Sequence, residues 1–263
     1  MTRVDLTRRR FLTVGSASAA SLLLTGCDQL AALGSDQSRA RQVLAAANGL
    51  TYRVQRLLTG DALAPEFGET EIRQGQRPNG SVDPGSPEYL ELKANGFADY
   101  RLRVTGAVRR PLTVSLAELH AMPARSQITR HDCVEGWSCI ARWTGVPLGF
   151  LLAQAGVLPE ARFAVFHCYD SFGGGLSGPI PYYESCDLAD ARHPQTILAY
   201  GLNGAALPVR NGAPIRVRIE RQLGYKMAKY LHTIELAESL AGFGRGRGGY
   251  WEDTAGYDWY AGI

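Results

Sequence analysis

The sequence lacks the features that mark several common protein classes. Its 263 residues contain no run of about 18 uninterrupted apolar residues, which a membrane-spanning helix would need. There is no C-x-x-C-H haem-attachment motif and no cysteine spacing typical of an iron–sulfur cluster. There is also no internal repeat, and His167, His193 and His232 lack the spacing of paired metal ligands. The sequence therefore predicts no transmembrane helix, no covalently attached haem and no iron–sulfur cluster.

The amino-terminal residues carry two targeting patterns in succession. Residues 7–12, T-R-R-R-F-L, resemble a twin-arginine export signal, and residues 24–27, L-T-G-C, resemble a lipoprotein signal-peptidase box. We predict that residues 1–26 are a signal peptide and that Cys27 is lipidated, with Asp28 resembling an inner-membrane retention signal. An amphipathic start to the first helix is the alternative. The two patterns together predict a periplasmic protein with a lipid anchor in the inner membrane.

The charge balance argues against a nucleic-acid partner. The formal net charge is +3, and residues 1–26 contribute four arginines against one aspartate, so the chain from Cys27 onward is near neutral. A neutral chain lacks the basic surface that binds polyanions. We therefore predict no nucleic-acid partner.

Strand patterns outnumber helical ones after residue 100. Period-two alternation and short apolar runs predict strands over residues 100–104, 127–134, 163–168, 196–200, 215–219 and 230–236. The predicted helices span residues 115–122, 147–155 and 183–191, and Ser115 with Glu118 forms a capping box at the start of the first. Because strands and helices do not alternate regularly, the sequence predicts an α+β fold with mixed β-sheets.

The chain from residue 27 to residue 263 has a predicted tether at its start and an unusual glycine-rich segment at its end. Residues 27–60 are predicted to form a tether and an N-terminal helix, and residues 61–263 the main domain. The last 22 residues are rich in glycine, but five aromatic residues stand between Tyr250 and Tyr260. Because disordered tails are poor in aromatic residues, we expect an ordered segment that wraps against the domain.

Cys133 is the residue on which the functional prediction depends. It ends a predicted strand in the run H-D-C-V-E-G-W-S, and W-T-G-V-P-L follows at residues 143–148. A lone cysteine in such a place is usually a small buried hydrophobe, which is the alternative. A thiolate is also the soft ligand that polarisable transition metals prefer. The combined sequence resembles the molybdenum-ligand segment of the sulfite oxidase family of molybdopterin enzymes, which implies that Cys133 is the metal ligand and the catalytic residue.

Three further segments carry the same resemblance, which extends over residues 75–236. They are R-P-N-G at 77–80, the stretch from L-A-Y-G-L-N-G at 198–204 to N-G-A-P-I-R at 211–216, and Q-L-G-Y-K-M-A-K-Y at 222–230. A guanidinium suits the phosphate end of a pterin because its fork meets two oxygens at once. The resemblance implies that the cofactor is bound by Arg77, Asn79, Asn211, Arg216, Met227, Ala228 and Lys229, with Cys168 or Asp170 as one further contact. A disulfide between Cys168 and Cys186 is also left open.

The resemblance implies an enzyme built on a sulfite oxidase-type molybdopterin domain, with Mo-molybdopterin as its cofactor. Its expected reaction is two-electron oxygen-atom transfer on a small substrate, namely S- or N-oxide reduction, with electrons exchanged with a membrane cytochrome or a quinol-linked partner. The flank of Cys133 is similar to that of the family's periplasmic methionine sulfoxide reductases. The family's dimerisation domain has no counterpart in the sequence, so we expect a monomer. The alternatives are a sulfite-oxidising dehydrogenase and a non-catalytic, lipid-anchored binding protein with the same fold.

Overall fold

The structure is a computed structural model that describes residues 39–173 and 178–263. The chain divides into two units, Met1–Leu58 and Thr59–Ile263. The described part of the first unit belongs to helix α1 (Arg39–Thr59), which continues without interruption through Asn48 and Gly49. Within the described ranges, no helix is long and apolar enough to cross a membrane. The predicted signal peptide and the lipidation site at Cys27 lie outside the described residues.

The second unit is built mainly from strands. In chain order the strands are β1 (Arg101–Gly106), β2 (Leu112–Ser115), β3 (Arg125–Cys133), β4 (Trp137–Pro147), β5 (Phe163–Phe172), β6 (Ile180–Asp187), β7 (Ile197–Leu202), β8 (Ala205–Ala206), β9 (Arg216–Arg218) and β10 (Leu231–Ala237). The helices are α2 (Pro87–Ala94), α3 (Leu116–Ala121), α4 (Leu148–Ala155), α5 (Leu188–Ala191) and α6 (Tyr250–Ala255). Three single 3₁₀ turns cover Glu69–Glu71, Val209–Asn211 and Gly224–Lys226.

The strands form two sheets. The first has the order β2-β1-β10-β5-β6, in which β1 and β10 are parallel and the other neighbours are antiparallel. The second has the order β3-β4-β7-β8, with β9 also paired to β7, and all of its pairs are antiparallel. Because helices and strands do not alternate and one sheet is mixed, the predicted α+β class is confirmed.

The main hydrophobic core joins both sheets to α4. On β1 the side chains of Leu102 and Val104 are fully buried, while their neighbours along the strand are exposed or half-buried, as period-two alternation predicts. Phe166 of β5 and Leu151 of α4 belong to the same buried cluster. Burying one such side chain stabilises the fold by about 1.5–3 kcal/mol, so this cluster is a main source of the domain's stability.

Several predicted elements are confirmed. Ser115 Oγ accepts a hydrogen bond from the Glu118 backbone N–H, and the Glu118 side chain accepts one from Ser115, so the capping box opens α3 as predicted. Strand β3 ends at Cys133, and α4 begins directly after Pro147.

The predicted helix over residues 183–191 is wrong. Its first five residues belong to β6, and only Leu188–Ala191 is helical, capped by the Asp187 carboxylate that accepts from the Asp190 N–H. From Tyr182 to Asp187 every residue of β6 is buried. A strand covered on both faces has no alternation in its sequence, and it therefore resembles a buried helix.

The register of β5 and β6 excludes the disulfide between Cys168 and Cys186. Cys186 stands opposite Ala164, four residues along β5 from Cys168. At about 3.3 Å per residue this separates the two cysteines by about 13 Å, well beyond the roughly 7 Å that a disulfide spans between Cα atoms.

The carboxyl-terminal segment, residues 242–263, is ordered against the domain, as its aromatic content predicts. The Trp259 indole N–H donates to Ser185 Oγ at 2.9 Å, and the Tyr225 hydroxyl donates to the Asp258 carbonyl at 2.6 Å. Lys226 is buried in an ion-pair cluster with Glu184 and with Glu252 of α6. These contacts fix residues 242–263 against β6 and against the Gly224–Lys226 turn.

Candidate active site

Cys133 lies at the tight turn between β3 and β4. It pairs with Trp137 across the hairpin, and its carbonyl accepts a hydrogen bond from the Gly136 N–H at 3.0 Å. Its thiol is only partly buried. Burial raises the pKa of the Cys133 thiol, although a hydrogen bond from the Glu135 backbone works in the opposite direction. The hairpin therefore presents a protonated thiol at the edge of the sheet.

Cys133 lines a cleft that is partly open to solvent. The cleft brings together five of the residues predicted from the sequence: Asn79, Cys133, Asp170, Met227 and Lys229. These residues come from the loop before α2, from the β3–β4 turn, from β5 and from the segment before β10. Cys133 is thus surrounded by side chains that are distant in sequence.

The loop that contains Asn79 is held beside the cleft by hydrogen bonds to Gly224, Asp170 and Lys229. Asn79 Nδ2 donates to the Gly224 carbonyl at 3.4 Å, and Ser81 Oγ donates to Asp170 Oδ2 at 2.6 Å. Lys229 Nζ donates to the Ser81 carbonyl. The loop around Asn79 is therefore part of the site, and Ser81 is a lining residue that was not predicted from the sequence.

Lys229 is a buried cation in the cleft whose hydrogen bonds go to carbonyl groups. Besides Ser81 it donates to the Arg210 carbonyl at 3.4 Å. Burial, with help from the positive charge of Arg216, lowers the pKa of Lys229 to about 7. Burial also raises the pKa of Asp170 to about 6, and Asp170 Oδ1 has no hydrogen-bond partner among the described residues.

Arg216 and Asn211 lie behind the cleft rather than on its wall. The Arg216 guanidinium donates to the Asn211 carbonyl at 3.0 Å and to the Met227 carbonyl at 3.3 Å, and it lies 5.0 Å from the centre of the Trp143 ring. Its Nε has no partner in the part of the chain that the structure describes. Burial lowers the pKa of Arg216 to about 9. Asn211 Nδ2 donates to the Gln76 carbonyl at 3.4 Å.

The other predicted contacts occupy different places. Arg77 is exposed beside the Cys133 hairpin, with its guanidinium 3.9 Å from the Glu135 carboxylate and 5.1 Å from the Trp137 ring centre. Cys168 and Ala228 are buried in the hydrophobic core. Of the two alternatives on β5, it is therefore Asp170, and not Cys168, that lines the cleft.

Gly224 explains how the segment that carries Lys229 can approach β3. A Cβ atom at residue 224 would lie 2.4 Å from His131 Nε2 and 3.2 Å from the Asp132 carbonyl oxygen. His131 in turn contacts Arg218 through Nδ1 at 2.7 Å. Only a residue without a side chain lets the segment pass this close to the strand that ends at Cys133.

Aromatic side chains from the carboxyl-terminal segment also line the cleft, a position that was not predicted from the sequence. Trp251 and Tyr257 stand on its wall together with Phe172, Tyr182 and Tyr225. The high content of aromatic residues in this segment was the sequence feature that could have indicated this, but it predicted only that the segment is ordered.

Comparison with known proteins identifies the family. Residues 90–241 match the model of the oxidoreductase molybdopterin binding domain, which covers more than half of the chain. The chain belongs to this family. It is therefore a molybdopterin oxidoreductase of the sulfite oxidase type, and its cofactor is Mo-molybdopterin.

One relative is the "Putative protein-methionine-sulfoxide reductase subunit YedZ1" of Azospira oryzae. The relative is 36% identical to our chain over 255 residues, which cover 97% of our chain and 87% of the relative. The sulfane dehydrogenase SoxCD of Paracoccus pantotrophus is a structural neighbour with a TM-score of 0.49 and 20% identity. That match covers 74% of this chain and 48% of the SoxCD chain, so our chain spans about half of that neighbour's length.

The residues around the cleft fit this cofactor. An anionic phosphate end would complement two buried cations: Lys229 on the cleft wall, and Arg216 behind it, whose Nε has no partner among the described residues. A thiol is a suitable ligand for molybdenum, and metal binding would remove the proton that burial favours on Cys133. Across the described ranges, no group of three or more His, Cys, Asp or Glu side chains could hold a metal ion by itself. The fit therefore depends on one protein thiolate together with ligands from the cofactor.

Proposed function

We propose that this enzyme reduces an S- or N-oxide by two-electron oxygen-atom transfer. The observation that carries the proposal is the Cys133 thiol, which opens into the cleft that Lys229 and Asp170 also line. In the overall reaction the oxide takes up two electrons and two protons and is converted to the oxygen-free product and water. The Azospira oryzae relative is named as a putative protein-methionine-sulfoxide reductase subunit, and this similarity supports an S-oxide as the substrate.

Each residue has a proposed part in holding the cofactor. Cys133 would ligate molybdenum, Lys229 and Arg216 would attract the phosphate end, and Asn79, Asp170 and Met227 would line the pterin. Asn211 and Ala228 do not line the cleft and would hold the residues that do. Arg77 would contact the cofactor from its exposed position beside the Cys133 hairpin. When bound, the cofactor supplies the two-electron redox chemistry, and the chain supplies the ligand, the orientation and the electrostatic environment.

The test is a metal and activity measurement on matched cysteine variants. Protein from a host that makes the cofactor is assayed for molybdenum by mass spectrometry and for sulfoxide reduction with a reduced dye. Cys133→Ser should lose the activity, whereas Cys139→Ser, on the facing strand but outside the cleft, should keep molybdenum and activity. Folded wild-type protein without molybdenum would contradict the proposal.

The direction of the reaction needs its own measurement. The same protein is offered sulfite with an oxidised acceptor, in parallel with oxides and a reduced donor. Activity in the oxidising direction alone would replace the reductase proposal with a sulfite-oxidising dehydrogenase. If cells with Cys133→Ala keep the full biological function, the chain is instead a non-catalytic binding protein.

We further propose a periplasmic enzyme that is lipid-anchored through Cys27 and receives electrons from a membrane cytochrome or a quinol-linked donor. The relative's name describes a subunit, which implies a partner, and a tether raises the effective concentration of a membrane partner. Cys27→Ser should reduce electron delivery in cells and leave the dye-linked activity of purified protein unchanged. An unchanged rate in cells would exclude the tethered partner.

A further inference from the structure

Five aromatic rings form one side of the cleft, and we refer to them as the aromatic wall: Phe172, Tyr182, Tyr225, Trp251 and Tyr257. The rings contact one another as a continuous surface. Trp251 and Tyr257 are stacked with centroids 5.9 Å apart, and Tyr225 meets Tyr257 edge-on at 5.0 Å. Phe172 lies 5.7 Å from Trp251 and 5.5 Å from Tyr182.

Two rings of the wall come from the carboxyl-terminal segment. Helix α6 ends at Ala255, and Gly256 follows with a φ of 70°, a left-handed conformation that glycine adopts readily. The chain turns back there, and the Tyr257 N–H donates to the Trp251 carbonyl at 3.3 Å. This turn holds the Tyr257 ring against Trp251. Both residues lie beyond residues 90–241, so the family match does not predict them.

The charges around the cleft are unfavourable for an anionic substrate. Among the described residues, the charged side chains that line the cleft are Glu135, Asp170 and Lys229, so carboxyl groups outnumber cations on its wall, and Arg216 lies behind it. The proposed cofactor already engages Lys229. The face of an aromatic ring carries negative electrostatic potential, so it attracts apolar or cationic groups and repels anions such as sulfite.

We propose that the aromatic wall selects a neutral organic oxide with apolar substituents on the oxidised atom, and that Trp251 and Tyr257 determine this specificity. The inference rests on the proposed reductase function and narrows it to a substrate class. The oxide would place its apolar substituent against the rings and its oxygen toward Cys133. Inorganic oxyanions, which have no group to place on the wall, would be poor substrates.

The test compares substrates that differ only in the size of the apolar group. Dimethyl sulfoxide and methyl phenyl sulfoxide are reduced by wild-type protein with a dye donor, and rates are normalised to molybdenum content. Wild-type kcat/KM should be larger for the phenyl compound. Trp251→Ala and Tyr257→Ala should lower kcat/KM for the phenyl compound by about 10- to 100-fold, mainly through KM, and should lower that for dimethyl sulfoxide by a clearly smaller factor.

Ring-retaining variants are the matched controls. Trp251→Phe and Tyr257→Phe keep a ring at each position and should keep most of the preference for the phenyl compound. Circular dichroism and thermal melting check each fold. Tyr257 is 37% exposed, so Tyr257→Ala alone carries the test if Trp251→Ala does not fold.

The outcomes separate the two claims. If wild-type protein reduces both oxides and the alanine variants keep its preference for the phenyl compound, the specificity inference is wrong while the reductase proposal stands. If wild-type protein reduces no oxide and oxidises sulfite, both the proposed function and the inference that rests on it are wrong.

Discussion

Lys226 and Lys229 stand three residues apart, are both buried, and have opposite environments. Lys226 Nζ lies 2.7 Å from Glu184 Oε2 and also pairs with Glu252. Lys229 instead donates to carbonyl groups in the cleft. Burial opposes the charge of both lysines. The two carboxylates outweigh burial at Lys226 and raise its pKa, whereas the pKa of Lys229 falls to about 7.

This difference separates a structural lysine from a binding lysine. The charge of Lys226 is compensated inside the protein, and the cluster joins α6 to β6 and so fixes the segment that carries Trp251. The charge of Lys229 is compensated poorly until an anionic ligand arrives. A buried cation with few internal partners is a cost to folding, and the proposed cofactor is what would offset it.

The largest expected effect is on stability at the Lys226 cluster. Lys226→Met leaves Glu184 and Glu252 buried without their cation, and removing one partner of a buried ion pair costs about 3–5 kcal/mol. We expect a loss of that size in the free energy of unfolding, measured with urea. The control adds Glu184→Gln and Glu252→Gln to Lys226→Met, which should recover most of the loss. An unchanged free energy for the single variant would show that the cluster does not hold the segment.

The second prediction concerns pH and protein prepared without the cofactor. Unfolded Lys229 keeps its proton up to about pH 10.5, whereas the folded residue loses it near pH 7, so unfolding takes up a proton between these values. The free energy of unfolding should therefore rise with pH in this range, by up to about 1.4 kcal/mol per unit relative to Lys229→Met. Unfolding measured at about pH 7.5 and 9.5 gives both slopes. Equal slopes would mean that Lys229 keeps an ordinary pKa.

The third prediction tests the binding role of Lys229. A hydrogen bond to a charged group contributes about 1.5–3 kcal/mol, so Lys229→Met should weaken cofactor retention about 10- to 100-fold. Molybdenum and pterin are measured per folded protein after purification. Lys229→Arg keeps the positive charge and should retain more of both. Wild-type cofactor content in Lys229→Met would remove Lys229 from the binding site.

The smallest expected effect distinguishes the two alternatives on β5. Asp170→Asn alters a carboxyl group that lines the cleft, and we expect a change in cofactor retention of about 1 kcal/mol, roughly fivefold. Cys168→Ala, in the core, should leave retention unchanged and lower stability by about 1 kcal/mol. The same two measurements, cofactor content and urea unfolding, decide the assignment. The opposite pattern would make Cys168 the contact.

Several features were accessible from sequence because their signals are local. The capping box at Ser115, the strand that ends at Cys133 and the helix after Pro147 each depend on residues within a few positions. The cofactor followed from the resemblance around Cys133, and the family match supports it. The helix predicted over residues 183–191 failed because β6 is covered on both sides, which removes the alternation that marks a strand.

By itself, the sequence determined the fold class, the family and the identity of Cys133 as the candidate ligand. Only the tertiary structure decided that Asp170 lines the cleft while Cys168 does not, that Lys226 and Lys229 have different environments, and that Trp251 and Tyr257 face the site. The physical reason is range. Propensity, capping and motif signals act over a few residues, whereas burial, charge compensation and cleft lining depend on segments that are far apart in sequence and meet only in the folded chain.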